Sequence, residues 1–558
     1  HPQPPNPDPL WSRGLGDVYK RQALMIVLVV VMIVSLGAYT FSELMFTHNE
    51  TATLSSQNIQ AKWLVDAGID VARVHLLQPH EQRMSAGGDF DNPTVFQAVN
   101  VITDPDPNMT GNFTLIAPNL DSDGYTAGFR FGLEDESSRL NLNALTLADK
   151  YATDGGREML MALPGMTVDI ADAIMDWIDD DDETREFGAE FDYYQSLGSP
   201  YEPNNGPFNT VEELLLVRGV MPELLFGADI NRNGTIDSHE EPARQRVQEL
   251  VSMANTSTGD EVLNTGSLDR GWSAYLTLHS QENNLNINGE PRIDINSADL
   301  QTLHQDLSAV FDPAVANFII LYRQGYELVD EPQTDGIPQP ASAVEIDFLR
   351  ESERDFTQVL DLVGKRLLYE PDLLDEEPID ILPAYPLDIS LANTIDLLMD
   401  NASTSSNPTI PGRLNINQAP RLLLQGVPGL SDEMIDFIIQ TRSIDPYQDQ
   451  QNYYRHETWL LKQSGITFLL GGTPFTLENM KALQPFICGG GSVFRAQIIG
   501  YYEGGTASAR GEVVIDATTV TPRIRLWRDL SHLGRGYPLD VLGLHYAGGN
   551  QTALPSVQ

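Results

Sequence analysis

At 558 residues the chain has room for roughly three or four domains of ordinary size, and its hydrophobic share of 41% is that of a folded protein. Its 34 Lys and Arg stand against 79 Asp and Glu, a formal net charge of −45. Such a surface repels a phosphate backbone, so nucleic acid is not expected as a partner; solvation, divalent cations or a basic protein suit it better. The single cysteine, Cys488, excludes an intramolecular disulfide and a cysteine-based zinc cluster.

Residues 1–22 are Pro-rich, then read "WSRGLGDVYKRQ", without patterning that carries on past Gln22; they are set apart as a non-native or leader segment. Residues 23–41, "ALMIVLVVVMIVSLGAYTF", are uncharged and close to the ~20 residues a helix needs to cross a bilayer. Arg13, Lys20 and Arg21 precede them, which places the N-terminus in the cytoplasm and the bulk of the chain outside. No small-residue cleavage site comes directly after, and helical patterning continues through "IQAKWLVDAGIDVARVHLL". The reading is one long helix, half in lipid and half in water.

"TVFQAVNVI" and "NFTLIAP" read as short strands, with "GYTAGFRFGLEDESSRLNLN" as a third extended run. From there to about Gln484 the pattern is helical, and one phrase recurs: "RLNLNAL" from Arg139, "RIDINSA" from Arg292 and "RLNINQA" from Arg413. Each copy leads into an Ala/Leu helix, a tight turn and a second amphipathic helix. The second helices share an apolar spacing: Ile170, Ile174, Trp177, Ile178; Phe311, Val315, Phe318, Ile319; Leu430, Met434, Phe437, Ile438. The turn is "LPGM" in the first copy and "VPGL" in the third, whereas the middle copy has "VFDPAV" and lacks the glycine. A looser helical segment comes after each: "FNTVEELLLVRGV", "FTQVLDLVGK" and "TWLLKQSGI". These units resemble helix-hairpin-helix pairs, which in many proteins hold DNA phosphates, but the neighbourhood here is acidic and a packing role is expected. In the phrase itself, Asn and Asp cap the next helix, Leu and Ile pack inward, and Arg139, Arg292 and Arg413 are expected to pair with carboxylates, so that it acts as a module-opening clasp. From Gly489, "SVFRAQIIGYY", "GEVVIDATTV" and "PRIRLWRDL" return to strands. A sheet begun before the helical block and resumed after it makes that block an insertion. The fold class is α+β.

"DINRNGTIDSHE", Asp229 to Glu240, fits the twelve-residue EF-hand calcium pattern. Oxygen ligands come from Asp229, Asn231, Asn233, the Thr235 carbonyl and Asp237, Gly234 occupies the sixth position and Glu240 closes the loop; bound Ca²⁺ would be structural. "DWIDDDDE", Asp176 to Glu183, with Glu190, is a second cation candidate, since carboxylates at a helix C-terminus oppose its dipole. No H-E-x-x-H, G-x-S-x-G or P-loop motif is present, and His304 with Asp306 reads as a surface pair rather than a dyad. The chain is expected to be non-enzymatic, with no small-molecule substrate.

"FGLEDESSRLNLNAL", the run from "LPGMTVDIADAIMDWIDDDDE" to "VEELLLVRGV", "RLNINQAP" and "SVFRAQIIGYY" together resemble the type II secretion system minor pseudopilin K family. The resemblance implies a pilin-like N-terminal long helix with a small antiparallel sheet, interrupted by a large, mainly α-helical insertion of repeated helix-hairpin-helix (SAM-like) units. It divides the chain into 23–41 (transmembrane), 42–135 (pilin-like helix and first strands), 136–290 (first repeat, with the loop 229–240), 291–410 (second repeat), 411–487 (third repeat), 488–535 (returning strands) and a tail, 536–558. It implies a subunit anchored once in the bacterial inner membrane, with its bulk in the periplasm. There it would cap the pseudopilus tip with the minor pseudopilins I and J and support protein export. The lack of an acidic residue between Ala23 and Ser42 matches that top position. The chain departs from the family in having Gln22, not glycine, before Ala23, and in a third repeat and an added acidic loop. The alternatives are a membrane-anchored helix-hairpin-helix protein that binds DNA and a calcium-dependent extracellular binding protein.

Overall fold

The computed structural model describes residues 10–253, 269–371, 377–388, 390–449, 451–463 and 474–543. The apolar run lies within one helix, Leu10–Leu77, of 68 residues and about 100 Å at 1.5 Å per residue. It starts well before Ala23, so part of the supposed leader segment is helical: no proline lies between Leu10 and Gln22 to stop it. Among the described residues it is the one helix long and apolar enough to cross a membrane, and its side chains from Leu24 to Phe46 are exposed.

The second half of this helix changes character. Ala61, Val65, Ile69, Ala72 and Leu76 recur every three or four residues and are buried against Phe113, Leu115, Ile498, Val513 and Ile515 of a sheet. Two glycines permit the close approach: a Cβ on Gly68 would stand 2.6 Å from Ile498, and one on Gly500 would stand 2.3 Å from the Ala61 carbonyl.

That sheet has seven antiparallel strands: β1 (Val99–Ile102), β2 (Gly111–Leu120), β3 (Thr126–Arg130), β4 (Glu134–Asp135), β5 (Val493–Tyr502), β6 (Ser508–Asp516) and β7 (Arg523–Asp529). The order is β1-β2-β5-β6-β7, with β3 also on β2 and β4 also on β5. Thr114 faces Ile499 and Phe113 faces Gly500 across the β2/β5 seam, so strands from both ends of the chain share one sheet and the helical block is inserted between β4 and β5. Only the latter part of "TVFQAVNVI" is strand; Pro93 starts a helical turn, Pro93–Phe96, because its fixed φ suits a first helical position. Of the tail, Tyr537 and Leu542 pack with Ile116, Ile499 and Tyr501 on the sheet face away from the long helix, and 544–558 lie outside the described residues.

Within the insertion the phrase forms three short parallel pairings, each between its own strand and one much later in the chain. Leu140–Asn141 pairs with Leu276–Thr277, Ile293–Asp294 with Ala402–Ser403, and Leu414–Asn415 with Ile487–Cys488. The middle segment also hangs from an antiparallel stem, Gln281–Asn283 against Thr409–Pro411. Between these clasps lie the helix pairs Gly155–Met161 and Val168–Ile178, Leu300–Val310 and Pro313–Arg323, Arg421–Leu424 and Asp432–Thr441. Gly165 and Gly429 turn the first and third pairs at φ +70° and +83°. The middle copy turns without glycine: Asp312 accepts from the Ala314 N–H at 2.9 Å and Pro313 starts the helix. Phe311 and Leu430 fall in these connections rather than in the second helices. Two of the looser segments are 3₁₀ turns, Val211–Leu216 and Val359–Leu362; the third is Trp459–Gln463, with 464–466 outside the described residues.

Candidate functional site

The clasp repeats its first turn in all three copies. Asn141, Asp294 and Asn415 each accept, through Oδ1, the backbone N–H two residues on, at 3.0, 3.0 and 2.9 Å. The next Asn then ties down a distant backbone: Asn143 exchanges two hydrogen bonds with Phe208 (3.0 and 2.8 Å) and Asn296 two with Phe356 (2.9 and 2.8 Å). Asn417 donates to the carbonyls of Tyr454 (2.9 Å) and Gly489 (2.7 Å) instead. Phe208 and Phe356 open the looser segments, so each of these asparagines fixes where its third helical piece begins.

The arginines do not repeat in the same way. Arg139 grips Glu134 through Nε (2.9 Å) and Nη2 (2.7 Å), and Arg413 grips Glu282 through the same atoms, both at 2.7 Å. Arg292 departs from expectation: among the described residues it makes no ion pair, and its Nε is buried without an acceptor. Glu282, which attracts it, is already taken by Arg413.

In the acidic loop Gly234 adopts φ +81°, the conformation its sixth position requires. Glu240 is fully buried and receives the N–H groups of Asn231 (3.0 Å) and Asp237 (2.9 Å); Asp229 receives those of Asn233 (3.0 Å) and Gly234 (2.8 Å). Asn231 Nδ2 reaches Asp237 at 2.7 Å, and Asn233 accepts the Thr235 hydroxyl at 2.8 Å. The fold thus gathers the side chains of Asp229, Asn231, Asn233, Asp237 and Glu240 around one turn that Thr235 completes. Asp237, His239 and Glu240 hold ligand atoms within 4.8 Å of one another. Burial raises the Asp229 pKa, while loop N–H groups and Arg270 act against it. The loop also leans on the sheet: Gln497 donates to the Arg232 carbonyl at 3.0 Å, Arg510 donates to the Asn231 carbonyl, and Asn233 donates to the Gly536 carbonyl at 3.0 Å.

The second cluster divides: Asp176 is buried, Asp179 is half-buried and Asp180 to Glu183 are exposed. Asp172 and Asp176 face inward from Val168–Ile178, Asp172 meeting Arg157 at 2.6 and 3.2 Å. A 3.6-residue apolar pattern cannot reveal this, because it marks which positions face the core and not whether an acid there is paired. Among the described residues no hydrogen-bond donor meets either buried carboxylate oxygen of Glu190, which is 4% exposed, or Oδ1 of Asp179. Burial first, then the neighbouring acids, push Asp179 and Glu190 up to about 7.

Sequence reasoning also missed the ion pairs that join insertion to sheet. Arg495 on β5 reaches Glu136 at the start of the insertion and Glu512 on β6, the latter at 2.9 Å. His304 bonds Asn317 at 2.9 Å rather than pairing with Asp306, since residues two apart on a helix point to different sides.

Residues 138–226, which carry the first phrase, its helix pair and the buried acids, match the family model described as Type II secretion system (T2SS), protein K. No curated protein matches the chain. A chain in the crystal structure of the GspK-GspI-GspJ complex from the enterotoxigenic Escherichia coli Type 2 Secretion System is similar at 10% identity, over 86% of this chain and 99% of that one. Its TM-score of 0.32 is too low for any structural conclusion to rest on it. Over these residues, and on that match, the chain carries a module of the type II secretion system protein K family.

Proposed function

We propose that the chain is a minor pseudopilin that caps the tip of a type II secretion pseudopilus together with pseudopilins I and J, supporting protein export across the outer membrane. The observation that carries this reading is the match of residues 138–226 to protein K. The exposed apolar half of the long helix supports it, since such a rod is stable only among lipid or sister helices. The subunit would sit once in the bacterial inner membrane, N-terminus cytoplasmic, with its bulk in the periplasm, and act by assembly rather than catalysis. The three helix pairs are read as helix-hairpin-helix units within modules 136–290, 291–410 and 411–487. Asp169, Asp432 and Glu433 beside the glycine turns speak against phosphate binding.

Calcium at Asp229, Asn231, Asn233, Thr235, Asp237 and Glu240 is part of the proposal. The residues present fit a hard cation: the donors are all oxygen, and the buried Glu240 has no Lys or Arg partner within salt-bridge reach among the described residues. The ion would supply positive charge that braces the loop against β5 and β6. The unpartnered oxygens of Asp179 and Glu190 suit a second divalent ion.

Co-expression of the full chain with pseudopilins I and J in the presence of calcium tests the assembly reading. A ternary complex is expected; recovery of I and J together without this chain would overturn it.

A further inference from the structure

We propose that the junction of the three modules is a binding site for a monocarboxylate with a medium-length apolar chain, anchored by Arg292. The repeated phrase supplies an internal comparison. Arg139 and Arg413 each deliver two hydrogen bonds to one carboxylate, Glu134 and Glu282. Arg292 holds the same place in the second phrase, yet no carboxylate among the described residues reaches it and its Nε is buried without an acceptor. Glu282 and Glu457 lie near enough to attract it, but both are bonded to Arg413.

Arg292 lines a cavity of about 280 Å³ between the modules. Leu145, Ala148 and Met159 wall it from the first module, Val359 from the second and Phe486 from the third. Gln484, 7% exposed, is also on the wall; among the described residues its Oε1 has no partner, and its Nε2 reaches the Met399 sulfur at 3.9 Å and Glu457 at 3.5 Å. The lining mixes these apolar side chains with polar ones, Asn141, Thr357, Gln358, Ser403 and Thr404 among them, and Arg292 and Gln484 bring a guanidinium and an amide with bonding capacity to spare. Arg292 is half-buried, its buried Nε lacks an acceptor at a cost, and a carboxylate answers a guanidinium with two parallel hydrogen bonds. The volume falls just below the roughly 300–1,000 Å³ of small-molecule pockets, which favours a medium-length chain over a long acyl lipid.

The full chain in lipid nanodiscs, titrated with octanoate carrying ¹³C at the carboxyl and read by NMR, tests the assignment. Saturable binding above that of empty discs is expected, with 1-octanol and acetate competing at least about tenfold more weakly, since each lacks one half of the recognition. Arg292→Met should lower affinity about tenfold or more. Ala148→Leu, which fills the cavity and leaves Arg292 in place, should do the same, so the two halves of the site are tested by separate variants. Octanoate bound no better than by empty discs, or bound equally by the native chain and both variants, overturns the proposal.

Discussion

Arg413 holds both carboxylate oxygens of Glu282 at 2.7 Å, although the two residues are 131 positions apart. Glu282 lies on the stem strand that comes after the first clasp, and Arg413 opens the third phrase, so one buried pair joins the first and third modules across the base of the second. Removing Glu282 leaves Arg413 only its longer contact to Glu457 at 3.3 Å. Glu282→Gln is expected to destabilise the fold by about 3 kcal/mol, and Glu282→Leu with Arg413→Met and Glu457→Gln by less, because the combined change leaves none of the three charges alone. Chemical unfolding of the two variants checks this; equal losses would mean that the geometry of the pair does not matter.

A second ion pair gives a pH dependence. Burial alone would raise the Glu512 carboxyl, but Arg495, then Arg139 and Arg528, outweigh it and hold the group down to about 2. Because the folded value lies below the unfolded one, the stabilisation is fully present above the ordinary glutamate range and is lost as pH falls toward about 2. The unfolding midpoint followed from pH 6 to pH 2 should fall more steeply for the native chain than for Glu512→Gln, whose midpoint is lower to begin with.

Calcium should stabilise the loop measurably. At about 100 times its Kd a ligand that binds only the folded state contributes about 2.7 kcal/mol. Millimolar Ca²⁺ is therefore expected to raise the thermal midpoint relative to chelator, and Glu240→Gln to remove most of the rise. An unchanged midpoint in chelator would end the calcium reading of Asp229 to Glu240.

The stem suggests that the second module can be removed. Asn283 and Thr409 stand opposite each other as the last pair before the chain departs and the first after it returns. Deleting 284–408 and closing the stem with Asn-Gly, which suits a two-residue hairpin, should leave β1–β7 and the matched module folded. The cost includes the ion pairs Lys462–Asp396, Arg455–Asp400 and Lys481–Asp361 and the second module's share of the one hydrophobic core that runs through all three modules, so a lower thermal midpoint with a retained cooperative transition is expected. Loss of the cooperative transition would show that the second module is integral to the core.

What the chain declares by itself is local in origin. The long helix, the amphipathic second helices and the C-terminal strands arise from periods of 3.6 and 2, and the twelve-residue oxygen pattern at Asp229 to Glu240 arises from ligand spacing within one turn. The Asx bonds of Asn141, Asp294 and Asn415 span two residues and are likewise written in the phrase. Tertiary structure alone decided which strand closes each clasp, that Arg413 reaches Glu282 while Arg292 finds no carboxylate among the described residues, and that Asp172 and Asp176 are buried beside Trp177. The reason is physical: dihedral preference and side-chain periodicity act over a few residues, whereas strand pairing and desolvation depend on groups that meet only in the fold, which no local pattern encodes.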